Sequence, residues 1–156
     1  MKQLSSREAA YLNRYGSWAL VTGASSGLGL ALAKKLAERG FHLVLASRYR
    51  ETLEPIATEI QKRHGVQCRV VPVDFSKEDS LQTVTLATGD LDLGLAVIAA
   101  GFGTSGPFLK NSLEVEREML EVNCRSTLEL SHHFGNRFAS QGRGGIILFG
   151  SIVGFQ

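Results

Sequence analysis

The sequence predicts an α/β fold: a doubly wound parallel sheet in three layers, with helices on both faces and the strand order 3-2-1-4-5. Two observations predict this architecture. Short apolar runs alternate along the chain with amphipathic stretches of about a dozen residues, which is the pattern of βαβ units. The runs are apolar at nearly every position, as strands are when helices cover both faces of a parallel sheet.

Five short apolar runs are predicted to form the strands. In chain order they are residues 18–22, 42–46, 67–73, 93–100 and 145–149. Each run has the length of a strand, whereas a helix typically needs about ten or more residues. The fourth run is apolar on both faces, which indicates a fully covered strand.

Helices are predicted in the stretches between these runs, where apolar residues recur at spacings of three and four. In order, they are residues 5–15, 28–39, 51–63, 76–87, a short helix from 111, and a long helix through 124–138. Predicted capping pairs at helix starts are Ser5 with Glu8, Ser76 with Asp79, and Asn111 with Glu114. Gly40 and Gly65 are predicted to end the second and third helices. A solvated acidic face is predicted for Glu114, Glu116, Glu118 and Glu121.

The composition fits one soluble globular domain. The 156 residues are 44% hydrophobic and 21% charged, which excludes a disordered chain. The 17 Lys and Arg against 15 Asp and Glu give a net charge of +2. Because the charges are interspersed, no nucleic-acid partner is expected. Cys68 and Cys124 belong to no CxxC pair, so neither a metal site nor a disulfide framework is expected.

No targeting or membrane segment is apparent in the sequence. The first 16 residues are polar and lack the apolar stretch of a signal peptide. The longest apolar run, residues 95–100, is far too short to cross a bilayer. We therefore expect a cytoplasmic protein with no membrane partner.

A glycine-rich turn, TGASSGLG at residues 22–29, joins the first predicted strand to the helix after it. The N–H groups at such a helix N-terminus can bind a diphosphate. Gly23 would allow a tight turn, Gly27 would let the backbone approach the phosphate, and Gly29 would let the helix approach the sheet. A turn without a ligand is the alternative, but the βαβ context favours a nucleotide. The predicted contacts here are Gly23, Ser25, Ser26, Gly27, Leu28 and Gly29.

The spacing TGxxxGxG after the first strand resembles the short-chain dehydrogenase/reductase family, and the resemblance extends over residues 17–156. It implies a Rossmann-type NAD(P)-binding domain at 17–156, truncated after its fifth strand, with residues 1–16 as a helical extension. It also implies an oxidoreductase that transfers a hydride between a nicotinamide and a carbonyl or alcohol substrate. Family members are commonly dimers or tetramers, so the resemblance leaves open whether this protein forms a homo-oligomer.

Ser47 and Arg48, at the end of the second predicted strand, favour NADP(H) as the cofactor. An NAD-specific site usually carries an acidic residue about 20 positions after the glycines, and the matching position is Ser47. A carboxylate there would repel a 2′-phosphate, whereas the Arg48 guanidinium can bind one with two hydrogen bonds. Ser25 could add a hydroxyl contact. The alternative is that these residues form a solvated loop.

The ends of the third and fourth strands complete the implied cofactor site. In the family, an Asp at the end of the third strand hydrogen-bonds the adenine amino group, and the backbone of the next residue assists. The resemblance therefore implies that Asp74 and Phe75 contact the adenine. Asp74 could instead, or as well, form an Asx turn. Ala100 and Gly101 keep half of the family's Asn-Asn-Ala-Gly and would lie beside the cofactor ribose. The missing second Asn removes an amide that braces the central strands.

Asn123 and Ser151 are the candidate catalytic residues. The resemblance implies that Asn123 supports a water-mediated proton relay and that Ser151 hydrogen-bonds the substrate oxygen. A helix-cap or helix-bend Asn and a turn Ser are the alternatives. The family's acid/base Tyr, with a Lys four positions later, follows this Ser, whereas the three tyrosines of the sequence all lie upstream.

The chain is therefore expected to be inactive by itself. A truncated form of an intact NADP(H)-dependent enzyme is the favoured explanation. A short regulatory module that binds NADP(H) without catalysis is the first alternative, and a βα domain without a ligand is the second.

Overall fold

The computed structural model describes residues 6–151, and within that range it has five strands and six α-helices. The strands are β1 (Trp18–Thr22), β2 (His42–Ser47), β3 (Cys68–Pro72), β4 (Leu93–Ile98) and β5 (Gly145–Leu148). The α-helices are α1 (Ser6–Tyr15), α2 (Gly27–Glu38), α3 (Arg50–His64), α4 (Ser80–Thr88), α5 (Leu113–Leu120) and α6 (Thr127–Gln141). A 3₁₀ turn (Phe108–Lys110) precedes α5, and a π-helical segment (Glu121–Ser126) joins α5 to α6.

The strands form one parallel sheet in the order β3-β2-β1-β4-β5, which confirms the predicted topology. Val21 in β1 lies between Leu45 of β2 and Val97 of β4. Every residue of β4 is buried, as its continuous apolar character predicts. The carboxyl ends of all five strands meet at one edge of the sheet, where doubly wound folds bind ligands.

Two hydrophobic clusters lie on opposite faces of the sheet. Alternate residues of β1 point to opposite sides, so Ala19 and Val21 join one cluster and Leu20 joins the other. Helices α2 and α3 cover the first face, and α4 and α6 cover the second. This arrangement confirms the three predicted layers and holds the carboxyl edge of the sheet rigidly in place.

Two predicted helix starts are wrong. Helix α4 begins at Ser80 instead of residue 76, because the Ser76 backbone and hydroxyl both donate to the carboxylate of Asp74. Helix α5 is capped by Ser112, whose hydroxyl accepts from the Val115 N–H at 3.4 Å. Local spacing matched the capping pattern, but the side chains of Ser76 and Asn111 bond to other partners. Ser5 lies outside the described residues.

The predicted cap Asn111 has a different partner. Its side-chain amide donates to the Glu116 carboxylate at 2.8 Å. The glycines predicted to end helices stand where expected, because Gly40 and Gly65 follow α2 and α3 with φ of +88° and +68°. The left-handed region favours glycine, so these two positions stop the helices for the predicted reason.

Helix α1 packs against the same cluster as α2. Tyr11, Leu12 and Tyr15 are partly buried against it, and the Arg39 guanidinium lies 5.1 Å from the Tyr11 ring centroid. The contacts join the residues before β1 to the body of the fold. Within residues 6–151, no helix combines the length and apolar character needed to cross a membrane.

Candidate functional site

A cavity of about 320 Å³ lies at the carboxyl edge of the sheet, between the ends of β1 to β4 and the start of α2. All twelve residues predicted to contact a cofactor line it: Gly23, Ser25, Ser26, Gly27, Leu28, Gly29, Ser47, Arg48, Asp74, Phe75, Ala100 and Gly101. Ala99, Phe102 and Val122 line it as well, and they are not among the predicted cofactor contacts. Loops that are distant in the chain therefore converge on one concave surface.

The glycine turn between β1 and α2 forms one wall of this cavity. Gly23 has a φ of +64°, and an added Cβ would lie 2.7 Å from the Ala99 carbonyl oxygen. A Cβ at Gly29 would lie 2.8 Å from the Gly23 carbonyl carbon. Real Cβ atoms do not approach backbone so closely, so both positions need glycine for the turn to pack against α2 and β4.

Gly27 differs from the other two glycines of the turn. Its φ is +54°, and an added Cβ would meet nothing within 4 Å. Because Gly27 lines the cavity, a side chain there would occupy space that is open for a ligand. The residues therefore fit a group that approaches the backbone closely.

The N-terminus of α2 is open to an anion. Ser26 is the N-cap residue with an extended backbone, but its side chain makes no capping hydrogen bond. The first turn of α2 carries no acidic residue. The N–H groups of this turn are thus not satisfied by a capping side chain, and the helix dipole adds positive potential. A phosphate or diphosphate is the ligand chemistry that this geometry suits.

Thr22 is a buried residue that the sequence reasoning missed. Its hydroxyl accepts hydrogen bonds from the N–H groups of Ala99 and Ala100, at 2.9 and 3.0 Å. These bonds divert both N–H groups from the sheet, which is why β4 ends at Ile98 and not at residue 100. They also hold β1 against β4. This is close to the position where the family's Asn-Asn-Ala-Gly has its second Asn and this sequence has Ala99.

The end of β2 forms the rim of the cavity with the half-buried Ser47 and the exposed Arg48. The Ser47 hydroxyl lies 3.0 Å from the Ser25 hydroxyl, which joins this rim to the glycine turn. The Arg48 guanidinium lies 5.6 Å from the Tyr49 ring centroid and 3.4 Å from a carboxylate oxygen of Glu118 in α5. Its side chain is 51% exposed, so the charge remains accessible at the mouth of the cavity.

Asp74 forms an Asx turn at the end of β3. One carboxylate oxygen accepts from the Ser76 N–H at 3.0 Å and from the Ser76 hydroxyl at 2.8 Å. Burial opposes the charged form, but the two Ser76 bonds outweigh it, aided by Lys77 and Arg48, and the pKa of Asp74 falls below its usual value. The carboxylate is therefore ionised at neutral pH.

Asn123 lies in the π-helical segment and clasps the backbone of Phe102. Its side-chain oxygen accepts from the Phe102 N–H at 3.1 Å, and its amide nitrogen donates to the Phe102 carbonyl at 2.7 Å. A Cβ on Gly101 would lie 3.0 Å from the same Asn123 oxygen. Asn123 thus contacts Phe102 of the cavity wall but does not itself line the cavity. π-helical segments occur frequently at functional sites.

Ser151, like Asn123, is a predicted catalytic residue that does not line the cavity. It is exposed and follows β5 by three residues, at the same edge of the sheet as the cavity. The acidic face predicted on α5 is not simply solvated, because Glu118 pairs with Arg48, Glu121 pairs with Arg125, and Glu116 accepts from Asn111. Of these pairings, the one between Arg48 and Glu118 joins elements that are far apart in the chain.

Neither cysteine takes part in this site. Burial raises the pKa of the Cys68 thiol to about 11, so it is protonated and unreactive at neutral pH. Cys124 is exposed, and both thiols are free. Among residues 6–151, no three His, Cys, Asp or Glu side chains are grouped so that they could hold a metal ion.

Comparison with known proteins gives consistent matches. The family model described as short chain dehydrogenase matches residues 17–156. A 7β-hydroxysteroid dehydrogenase from Clostridium sardiniense is 35% identical over 145 residues, which cover 93% of this chain and 56% of that protein. A very-long-chain 3-oxoacyl-CoA reductase from Neurospora crassa is 33% identical over 156 residues, which cover 97% of this chain and 47% of that protein.

A solved structure resembles the fold closely. The short-chain dehydrogenase from Sphingobium yanoikuyae in complex with NADPH has a TM-score of 0.84 and 31% sequence identity to this chain. The match covers 88% of this chain and 54% of that one. The chain spans about half the length of the curated relatives that it matches.

Proposed function

Because the chain belongs to the short-chain dehydrogenase family, we propose that its cavity binds NADP(H) and that the protein transfers a hydride between this cofactor and a carbonyl or alcohol substrate. The cavity itself carries the proposal. The uncapped N-terminus of α2 and the open space at Gly27 form a cradle for a diphosphate. The complex of the Sphingobium yanoikuyae relative with NADPH supports the same cofactor here.

The selectivity for NADP(H) rests on the rim of the cavity. Ser47 stands where an NAD-specific site usually carries an acidic residue, so no carboxylate at that position would repel a 2′-phosphate. Arg48 lines the cavity and is half exposed, which lets its guanidinium reach a phosphate through two donors. Ser25 lies within hydrogen-bonding distance of Ser47 and could supply a further hydroxyl.

The adenine would lie at the end of β3. Asp74 and Phe75 both line the cavity, and the Asp74 carboxylate is ionised. The Asx turn and an adenine contact are compatible, because a carboxylate accepts several hydrogen bonds. The Ser76 bonds use one oxygen of Asp74, and in the described residues no hydrogen bond reaches the other. That oxygen could accept from the adenine amino group.

The nicotinamide end would reach towards Gly101 and the residues after β5. When bound, the cofactor supplies the hydride that a carbonyl carbon accepts, or takes one from an alcohol carbon. Asn123 holds the Phe102 backbone and so fixes the wall beside Gly101. The Ser151 hydroxyl would donate to the substrate oxygen from the carboxyl end of β5.

The names of the relatives support the proposed substrate class. Hydroxysteroid dehydrogenase and 3-oxoacyl-CoA reductase are names for enzymes that act on an alcohol or a carbonyl. This agreement supports a carbonyl or alcohol substrate for the present protein. A cytoplasmic location and a homo-oligomeric assembly stay predictions.

Titration of the chain with NADPH tests the proposal directly. We expect saturable enhancement of NADPH fluorescence, displacement by 2′,5′-ADP, and binding of NADH that is weaker by roughly tenfold or more, since a hydrogen-bonded charge pair is worth that much. A Kd for NADPH above about 1 mM, a binding free energy weaker than about −4 kcal/mol, would contradict the proposed site. Equal affinities for NADPH and NADH would contradict its selectivity alone.

A further inference from the structure

Arg125 joins the π-helical segment to the loop that follows β3. One terminal nitrogen of its guanidinium, Nη2, donates to the carbonyl oxygens of Phe75 at 3.2 Å and of Lys77 at 3.0 Å. The side chain is 23% exposed. A charged group that is mostly buried and bonded to two backbone carbonyls adopts a defined position, unlike the mobile arginines of the surface.

Two glutamates fix the orientation of this guanidinium. Glu121 accepts from its Nε, and Glu129 accepts from its Nη1 at 2.8 Å. The glutamates lie four residues before and four residues after Arg125, so both face the same side of the helix. One planar guanidinium thus donates to two carboxylates on its own helix and to two backbone carbonyls in the loop after β3. The single ammonium group of a lysine could not reach all four acceptors.

The bond to Phe75 acts on the predicted adenine site through a single peptide group. The carbonyl of Phe75 and the N–H of Ser76 belong to the same peptide plane. The carbonyl accepts from Arg125, while the N–H donates to the Asp74 carboxylate. Because the peptide group is planar, Arg125 fixes the donor that orients Asp74.

The π-helical segment holds the opposite part of the cavity wall as well. Val122 lines the cavity, Asn123 clasps Phe102, and Arg125 clasps the loop at Phe75. Phe75 and Phe102 both line the cavity. One short segment therefore fixes the backbone on two sides of the space where a nucleotide would lie.

We propose that Arg125 is a positioning residue for recognition of the adenine, acting through the Phe75–Ser76 peptide on the carboxylate of Asp74. This inference rests on the proposed binding of NADP(H) in the cavity, with the adenine at Asp74. Arg125 itself touches no part of the cofactor. Substitution of Arg125 leaves the glycine turn and Arg48 in place. It therefore weakens the hydrogen bond between Asp74 and the adenine but leaves the phosphate contacts intact.

The test compares NADPH with its hypoxanthine analogue, in which an oxygen replaces the exocyclic amino group of adenine. A carboxylate at Asp74 accepts from the amino group but gains nothing from the oxygen. We expect wild-type protein to bind NADPH roughly tenfold more tightly than the analogue, the value of one hydrogen bond to a charged group. In Arg125→Met, NADPH affinity falls roughly tenfold, the analogue changes less than about threefold, and the preference approaches unity.

Arg137→Met is the matched control. Arg137 also donates to two backbone carbonyls from the same helical region, those of Thr88 at 3.0 Å and Leu91 at 2.7 Å, but it does not line the cavity or contact the loop after β3. A general loss of stability would affect both variants. We expect Arg137→Met to keep the wild-type preference for NADPH over the analogue.

Each outcome decides a separate point. An unchanged preference in Arg125→Met, or no preference in wild-type protein, overturns the role of Arg125 and leaves NADP(H) binding standing. Absence of NADPH binding in wild-type protein overturns the proposed function instead. If Arg125→Met does not fold, Arg125→Lys decides: it keeps the charge but not the fork, and a wild-type preference there overturns the inference.

Discussion

The cavity has two walls that are built in different ways. The glycine turn at residues 22–29 presents backbone N–H groups and is closely packed at Gly23 and Gly29. The rim at the end of β2 presents the side chain of Arg48, which is 51% exposed and pairs with Glu118 of α5, itself 38% exposed. A closely packed backbone cannot accommodate an added side chain without moving, whereas the interactions of exposed charges are screened by water and salt. Substitutions in the turn should therefore have large effects, and substitutions at the rim graded, salt-dependent ones.

The largest effect is expected for Gly29→Ala. The added methyl group would lie 2.8 Å from the Gly23 carbonyl carbon, so α2 must move away from the turn. We expect a loss of about 3 kcal/mol in the free energy of unfolding, the upper range for overpacking, together with loss of NADPH binding. Urea unfolding followed by circular dichroism measures the first and fluorescence titration the second.

The control for this variant is Gly135→Ala, which also places alanine at a helical glycine. A Cβ at Gly135 meets nothing within 4 Å. This variant should gain up to about 1 kcal/mol in stability, the difference in helix propensity between the two residues. If Gly29→Ala were as stable as wild-type protein, the turn would be looser than its contacts indicate.

Gly27→Val, compared with a control, shows whether a side chain at this position weakens NADPH binding by filling the cavity or by straining the backbone. A side chain there takes space next to the α2 N-terminus, and we expect NADPH affinity to fall roughly 100-fold or more, about 2.7 kcal/mol. Gly65→Val is the control, because Gly65 also has a positive φ, of +68°, and open space around it. Both variants should lose similar stability, but Gly65→Val should bind NADPH normally. Equal losses of binding in both would assign the effect to strain.

The parts of the structure that the sequence predicted depend on backbone packing. Apolar runs and glycines report on burial and on close approach, and these yielded the strand order and the glycine turn. The predicted caps failed at Ser76 and Asn111, because a capping pattern records spacing while Asp74 and Glu116 compete for the same side chains. Competition of this kind depends on the folded geometry and leaves no local pattern.

The charged contacts of the site were not predictable for the same reason. Glu118 matches a solvated helix face by its spacing, yet it pairs with Arg48. Arg48 is 70 residues from Glu118 in the chain. Nothing near Arg125 in the sequence indicates that it reaches the backbone at Phe75. Only the folded arrangement of β3 and the π-helical segment brings these groups together.

Arg48→Gln should have an intermediate effect that is confined to one cofactor. Removal of the guanidinium should weaken NADPH roughly 30-fold, within the range for hydrogen bonds to charged groups, and change NADH less than about twofold. Arg50→Gln is the control, since Arg50 lies two residues away, is similarly exposed, and pairs with Glu54 instead of lining the cavity. Arg50→Gln should leave both affinities near wild type. A parallel fall in NADPH and NADH affinity for Arg48→Gln would place the 2′-phosphate elsewhere.

The smallest effect is expected for Glu118→Gln, and its direction is a gain. The Glu118 carboxylate lies 3.4 Å from the Arg48 guanidinium, where it competes for the donor and repels an incoming phosphate. Because exposed ion pairs are worth only about 0.2–1 kcal/mol, NADPH should bind about twofold more tightly, with NADH unchanged. The gain should disappear near 1 M salt, where the screening length is ~3 Å. Glu114→Gln makes the same charge change one turn earlier on α5 and should have no effect. A gain of equal size there would reflect net charge, whereas a loss in Glu118→Gln would mean that the carboxylate holds Arg48 in place for the phosphate.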